Sequence, residues 1–221
     1  MRRVYFVVEG QTEAEFVKEF IAPYFQSAEI YNTRPIIIET SRGNKGGFVN
    51  FQHLKKLLVR LIKEEPDVVV TTMVDFFRVP NDLPGYAECM KFNSSSDKIG
   101  CLQSYLTEDI HRTVNSPLFI PYIQQHEFEA LLFSSNAGFE YCFDKEVYHR
   151  TGQVIEQFPN PEDINSHPKT APSKRLLEII PDYQKVIDGN TIAMEIGIET
   201  LLQICPRFRA WIESLISKAK A

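Results

Sequence analysis

Residues 4–8 (VYFVV) are a short run of β-branched and aromatic positions that stops at Glu9-Gly10, the pattern of a buried strand. From Thr12 the period changes: Phe16, Val17, Phe20, Ile21 and Tyr24 repeat at helical spacing, and Thr12 with Glu15 has the spacing of a capping box. The alternation then recurs. Residues 35–40 (PIIIET) read as a second strand and the loop SRGNKGG follows. Phe51, Leu54, Leu57, Leu58, Leu61 and Ile62 mark a second amphipathic helix that stops near Pro66. Residues 68–74 are apolar enough to form a strand covered on both faces, and they lead into Asp75. Strands alternating with helices predict an α/β protein with a mostly parallel sheet.

Beyond Asp75 the text turns to loop chemistry (RVPNDLPGY, then NSSSD) before a helix over residues 98–113 with Asp97 as its expected cap. Residues 118–124 read as a fourth strand, and HEFEALLF as the start of another helix. Residues 158–172 (FPNPEDINSHPKTAP) hold four prolines and few apolar side chains, which predicts an extended surface connection. Helices are expected from about Ser173, Thr191 and Pro206. The resulting organisation is a core over residues 1–143, then a linker and C-terminal helical extension over 144–221. The extension is expected to pack on the core as one structural unit, because so short a segment seldom folds alone.

Composition narrows the function classes. The 221 residues carry 24 basic and 29 acidic side chains, a net charge of −5, so the whole molecule does not attract nucleic acid and any such binding requires a local basic patch, a metal ion or a partner. The start MRRVYFVVEG lacks the apolar region and cleavage site of a signal peptide, and no stretch approaches the roughly 20 apolar residues that span a bilayer. A cytoplasmic protein without membrane contact is expected. Cys89, Cys101, Cys142 and Cys205 form no CxxC pair, which argues against a zinc ribbon or a thioredoxin-type site and predicts reduced, structural thiols.

In open parallel sheets, sites gather at the carboxyl ends of the strands. Glu9 ends the first strand, Asp75 the third, and Glu127 and Glu129 follow the fourth. Carboxylates from separate strands repel one another unless a divalent cation neutralises them, and such oxygen sites suit Mg²⁺ or Mn²⁺, ions that activate water and clamp phosphoryl groups. A strand-end carboxylate serves equally well to accept N–H bonds from the following helix, so the coincidence of several acids carries the signal. Glu15 suits capping and Glu13 an outer position around a metal; Asp82 reads as solvated.

HEFEALLF allows two arrangements. A helix beginning near His126 places His126 and Glu129 on one face, whereas a continuing strand places Gln125, Glu127 and Glu129 together with His126 opposite. HEFE is not HExxH, so a zinc protease is excluded. Arg42 and Lys45 in SRGNKGG suit phosphate contact, although the loop is not a Walker A motif and flexible turn chemistry explains its glycines as well. Lys169, Lys174 and Arg175 in KTAPSKR, with Lys185, are candidates for the local basic patch.

Taken together, VEGQTEAEF, MVDFFRVPNDLPG, FIPYIQQHEFEALLFS, PEDINSHPKTAPSKRL and IAMEIGIETLLQICPRFRAWI resemble, in that order, the bacterial family of domain of unknown function 4276. That family resembles a remote member of the Toprim group, the α/β metal-binding fold of topoisomerases, primases and nucleases of the overcoming-lysogenization-defect type. The resemblance implies a Toprim/Rossmann-like four-stranded sheet flanked by helices, with Glu9 as general acid or base and Asp75 as first acid of a Mg²⁺-binding DxD pair. The second position of that pair is Phe77. Glu127 or Glu129 would fill the gap, with Glu9, Asp75 and Glu129 as the expected metal ligands, or catalysis has been lost. The resemblance further implies nucleic acid as substrate and a partner ATPase of the ABC or SMC-like kind, in phage defence or DNA processing.

Overall fold

The computed structural model describes all residues except 42, 43, 46, 78, 165, 166 and 168, and only the backbone of residues 39–41, 44 and 45. The chain divides into two units, Met1–Ile123 with Ser214–Ala221, and Gln124–Glu213.

In the first unit, β1 (Val4–Val8) leads through α1 (Gln11–Phe16), a π-helical stretch (Val17–Ile21) and α2 (Ala22–Ser27) to β2 (Thr33–Ile37). Pro23 lacks the N–H that would continue the α-helical ladder, and the wider π turn just before it absorbs the interruption, with the Ala22 N–H reaching the Val17 carbonyl. A small antiparallel hairpin of β3 (Glu39–Ser41) and β4 (Asn44–Lys45) occupies the expected glycine-rich loop. There follow α3 (Phe51–Glu64), β5 (Val69–Asp75), the single turn α4 (Tyr86–Cys89), the long α5 (Ser95–Val114), β6 (Phe119–Ile120) and β7 (Ile123–Gln124).

The sheet runs β2-β1-β5-β6, with parallel pairing of β1 to β2, β1 to β5 and β5 to β6, so the mostly parallel sheet flanked by helices is as expected. Alternation along β1 sends Val7 into a core with Leu54 and Leu58 of α3 and Leu102 and Leu106 of α5, while Phe6 meets Phe25 of α2 edge-on at 5.8 Å. Helices thus cover both faces, as a sheet of continuously apolar strands requires.

The fourth strand is broken in two, giving five strands instead of four. Pro121 has no N–H to offer a ladder. Buried Thr72 of β5 compensates: its hydroxyl donates to the Tyr122 carbonyl at 2.8 Å and accepts from the Tyr122 N–H at 2.9 Å. Thr71 donates to the Ile120 carbonyl at 2.6 Å, and Gln103 of α5 to the Pro121 carbonyl at 2.8 Å.

Other local expectations are corrected. The cap of α5 is Ser94, whose hydroxyl accepts the Asp97 N–H at 3.0 Å, so Asp97 lies inside the first turn. Asp82 is not merely solvated: its carboxylate oxygens lie 3.0 Å from the Phe51 N–H, adding to the Asn50 cap of α3. Cys89 and Cys101 form a disulfide between α4 and α5, contrary to the expectation of reduced thiols, because the two helices bring their Cα atoms to 5.5 Å; Cys142 and Cys205 are free.

The second unit forms around HEFEALLF. This segment is a 3₁₀ helix (Phe128–Ser134) with all seven residues buried, and it packs against α7 (Lys145–Gln157), α8 (Pro172–Ile179), α9 (Ile187–Ile196) and α10 (Ile198–Ile204). Before α7 stands α6 (Ala137–Cys142), which meets α9 so closely that a side chain at Gly138 would collide with the Ile192 carbonyl at 2.6 Å. The chain closes with α11 (Pro206–Lys220), whose last turns belong to the first unit. The two compact units divide at Ile123 and Gln124, whereas the expected core ran to residue 143. The proline-rich stretch is not a simple surface connection either: Pro161, Glu162, Ile164 and Ala171 are buried. Glu162 accepts the N–H groups of Arg207 and Phe208 at 2.9 and 3.1 Å, capping the start of α11. Among the described residues no helix is long and apolar enough to cross a membrane.

Replacing Thr72 by valine keeps the volume but leaves the Tyr122 N–H and carbonyl buried without their partner, so Thr72→Val is expected to lower stability by about 1–3 kcal/mol in urea unfolding. An unchanged midpoint contradicts this role.

Candidate functional site

The parallel register pairs Val8 with Met73 and so brings the ends of β1 and β5 level. The Glu9 N–H continues the ladder to the Met73 carbonyl at 3.3 Å, and the Glu9 carboxylate accepts the Asp75 N–H at 3.3 Å. Two acids from adjacent strands are thereby joined at the carboxyl edge of the sheet, both half-buried. Glu13 is buried just beyond, where its carboxylate reaches back to the Gly10 N–H at 3.0 Å. The cap of α1 is thus Gly10 with Glu13 and not the expected Thr12 with Glu15: glycine supplies no acceptor of its own, and the acid three residues on takes its N–H.

Among the described residues no three His, Cys, Asp or Glu side chains are grouped so as to hold a metal ion. The pair at the sheet edge fits a smaller demand. Mg²⁺ retains several waters and is commonly bound through one or two carboxylates together with substrate oxygens, a donor set that Glu9 and Asp75 can supply.

Glu127 and Glu129 lie in the second unit. Neither arrangement anticipated for HEFE is observed, because His126 takes a left-handed backbone conformation (φ +67°) and the 3₁₀ helix begins at Phe128. Glu127 accepts the Ser173 N–H at 3.0 Å and the Ser173 hydroxyl at 3.1 Å, holding the first turn of α8. Glu129, 1% exposed, pairs with Lys185 at 3.3 Å, and the Lys185 side chain stays 39% exposed. Sequence reasoning passed over Tyr183, whose buried hydroxyl belongs to the same polar group. Burial holds the phenol protonated well above its ordinary range, with the negative charge of Glu129 adding to the effect. A side chain at Gly189 would stand 2.7 Å from that hydroxyl.

Of the expected phosphate contacts, Arg42 and the Lys45 side chain lie outside the described residues. Lys169 and Lys174 are exposed. Arg175 is engaged within the unit, donating to the Thr170 carbonyl at 2.9 Å with its guanidinium 5.2 Å from the Phe158 ring centroid.

His126 is 4% exposed, and burial lowers its pKa from 6.5 to about 4. The native state therefore holds the neutral ring while the unfolded chain takes up a proton below pH 6.5, and this stability is lost as pH falls through the window to about 4. The full shift corresponds to on the order of 3 kcal/mol. His126→Asn, a residue that tolerates the left-handed conformation, is expected to lose less stability than the wild type across that window. Equal acid sensitivity of the two in urea titrations removes this assignment.

The C-terminal region of the OLD protein of Xanthomonas campestris pv. campestris is similar in structure to this chain. In a form phased with mercury the identity is 14% and the TM-score 0.44; in one phased with iodine they are 13% and 0.46. Each comparison covers 100% of this chain and 95% of the other. No curated protein matches the chain. The model of a domain of unknown function, DUF4276, matches residues 8–216, and the chain belongs to that family.

Proposed function

We propose that the chain is a divalent-metal-dependent phosphodiester hydrolase of Toprim type, a nuclease. The observation that supports this reading above others is the Glu9 carboxylate seated on the Asp75 N–H at the carboxyl ends of two adjacent parallel strands. Glu9 and Asp75 would hold Mg²⁺ or Mn²⁺, which when bound supplies charge neutralisation for the phosphoryl oxygens. Glu9, half-buried and seated on the Asp75 N–H, would accept a proton from the attacking water. Gly10 and Glu13 hold the turn behind it, so the carboxylate is preset on a rigid strand end. The chemistry belongs to the first unit in this reading; Glu127 and Glu129 support the second unit from within, while Lys174 remains a candidate phosphate contact. An ATPase of the ABC or SMC-like kind is the proposed partner, in phage defence or DNA processing, and would supply the energy coupling.

A non-catalytic subunit that binds such an ATPase or a nucleotide is the second reading. It draws on Phe77 at the position of the second acid and on the absence of a three-ligand group among the described residues.

The test is cleavage of single- and double-stranded DNA and RNA with Mg²⁺ or Mn²⁺. Glu9→Gln and Asp75→Asn are each expected to lose about 100-fold or more of the rate while retaining the wild-type circular dichroism and melting temperature. Wild-type rates in both variants contradict the hydrolase, and no cleavage by the wild type on any substrate favours the subunit reading.

A further inference from the structure

The first unit contains a cleft of about 290 Å³ between the edge strand β2 and α3, lined by Ile36, Ile37, His53, Lys56, Leu57 and Arg60. Among the described residues its charged lining is of one sign: Lys56 and Arg60 stand one helical turn apart on α3, His53 lies a turn before Lys56, and none of the described lining residues is acidic. Lys56 and Arg60 are exposed, and among the described residues neither forms an ion pair. Several other cations of the unit are neutralised, among them Lys55 on the same helix by Asp109 at 2.6 Å, Arg2 by Asp67 at 2.6 Å and Lys18 by Glu19 at 2.7 Å. Like charges at this spacing oppose each other, and an anion between them removes the repulsion. The floor of Ile36, Ile37 and Leu57 offers apolar contact beside the charges, the mixed chemistry that a phosphate joined to a sugar presents.

Position within the sheet adds direction. Ile37 pairs with Val8, the residue before Glu9, so the cleft opens on the strand next to β1 at the level of its carboxyl end. We infer that this cleft is a backbone subsite for nucleic acid, in which Lys56 and Arg60 bind phosphates flanking the scissile one. In a protein of net charge −5 this is the local basic patch that polynucleotide binding requires. The assignment rests on the hydrolase reading for its place beside the reacting phosphate, but binding can be measured without cleavage.

The experiment is fluorescence anisotropy of labelled single- and double-stranded oligonucleotides over a range of salt, with EDTA present. The double variant Lys56→Glu, Arg60→Glu is expected to bind at least about ten-fold more weakly, with a logarithmic salt slope smaller by about one to two. The charge-matched double variant Lys91→Glu, Arg112→Glu on exposed positions of the same unit is expected to bind as the wild type. The inference is overturned if the cleft variant binds like the wild type, if the control loses as much, or if the wild type binds a nucleoside monophosphate but no oligonucleotide. Glu9→Gln separates the two proposals: wild-type binding with lost cleavage supports both. A cleft effect accompanied by undiminished cleavage in Glu9→Gln removes the role assigned to Glu9 and leaves the nucleic-acid subsite.

Discussion

Parallel pairing of β1 with β5 is the constraint on which the first unit depends. It brings Val8 level with Met73, and from that register follows the meeting of the Glu9 carboxylate with the Asp75 N–H. A slip of β1 by one residue would turn Val7 away from Leu54 and Leu58 and part the Glu9 carboxylate from the Asp75 N–H. The hydrophobic core and the candidate site are therefore secured by the same set of hydrogen bonds. The neighbouring strands show how strictly the register is kept. Where Pro121 interrupts the ladder, the hydroxyls of Thr71 and Thr72 replace it from within the buried strand.

The second unit rests on a different device, buried charge satisfied by helix ends and cations. Glu127 holds the first turn of α8, Glu162 that of α11, and Glu129 pairs with Lys185. Burial raises the Glu162 pKa, an effect that outweighs the N–H groups of Arg207 and Phe208 acting to lower it. Breaking one member of such a pair exposes the other to an apolar surround, which makes these carboxylates structural keystones whatever else they contact.

Features carried by local periodicity were legible in the sequence: the strands ending at Glu9 and Asp75, the amphipathic α3, and the parallel arrangement. Features carried by long-range partners were not. Nothing near Glu127 announces Ser173, 46 residues on, and nothing near Pro121 announces Thr72. HEFEALLF was ambiguous because an apolar run has no helical period when it is buried on every side, and its 3₁₀ form with His126 at positive φ satisfies neither template. The Cys89–Cys101 pairing escaped the spacing rules because its geometry comes from two helices packing together. Family resemblance led correctly to DUF4276, while Phe77 stands where the resemblance to the Toprim group would place a second acid.

That departure concentrates the functional question on two carboxylates. If Glu9 and Asp75 form the metal site, the remaining coordination comes from water and substrate, as Mg²⁺ and Mn²⁺ permit. Anomalous diffraction at the manganese edge, from crystals equilibrated with Mn²⁺, tests this most directly. The account predicts a single strong peak beside Glu9 and Asp75 that vanishes in Asp75→Asn. A map with no peak at that strand edge, or a peak unaffected by the substitution, contradicts it.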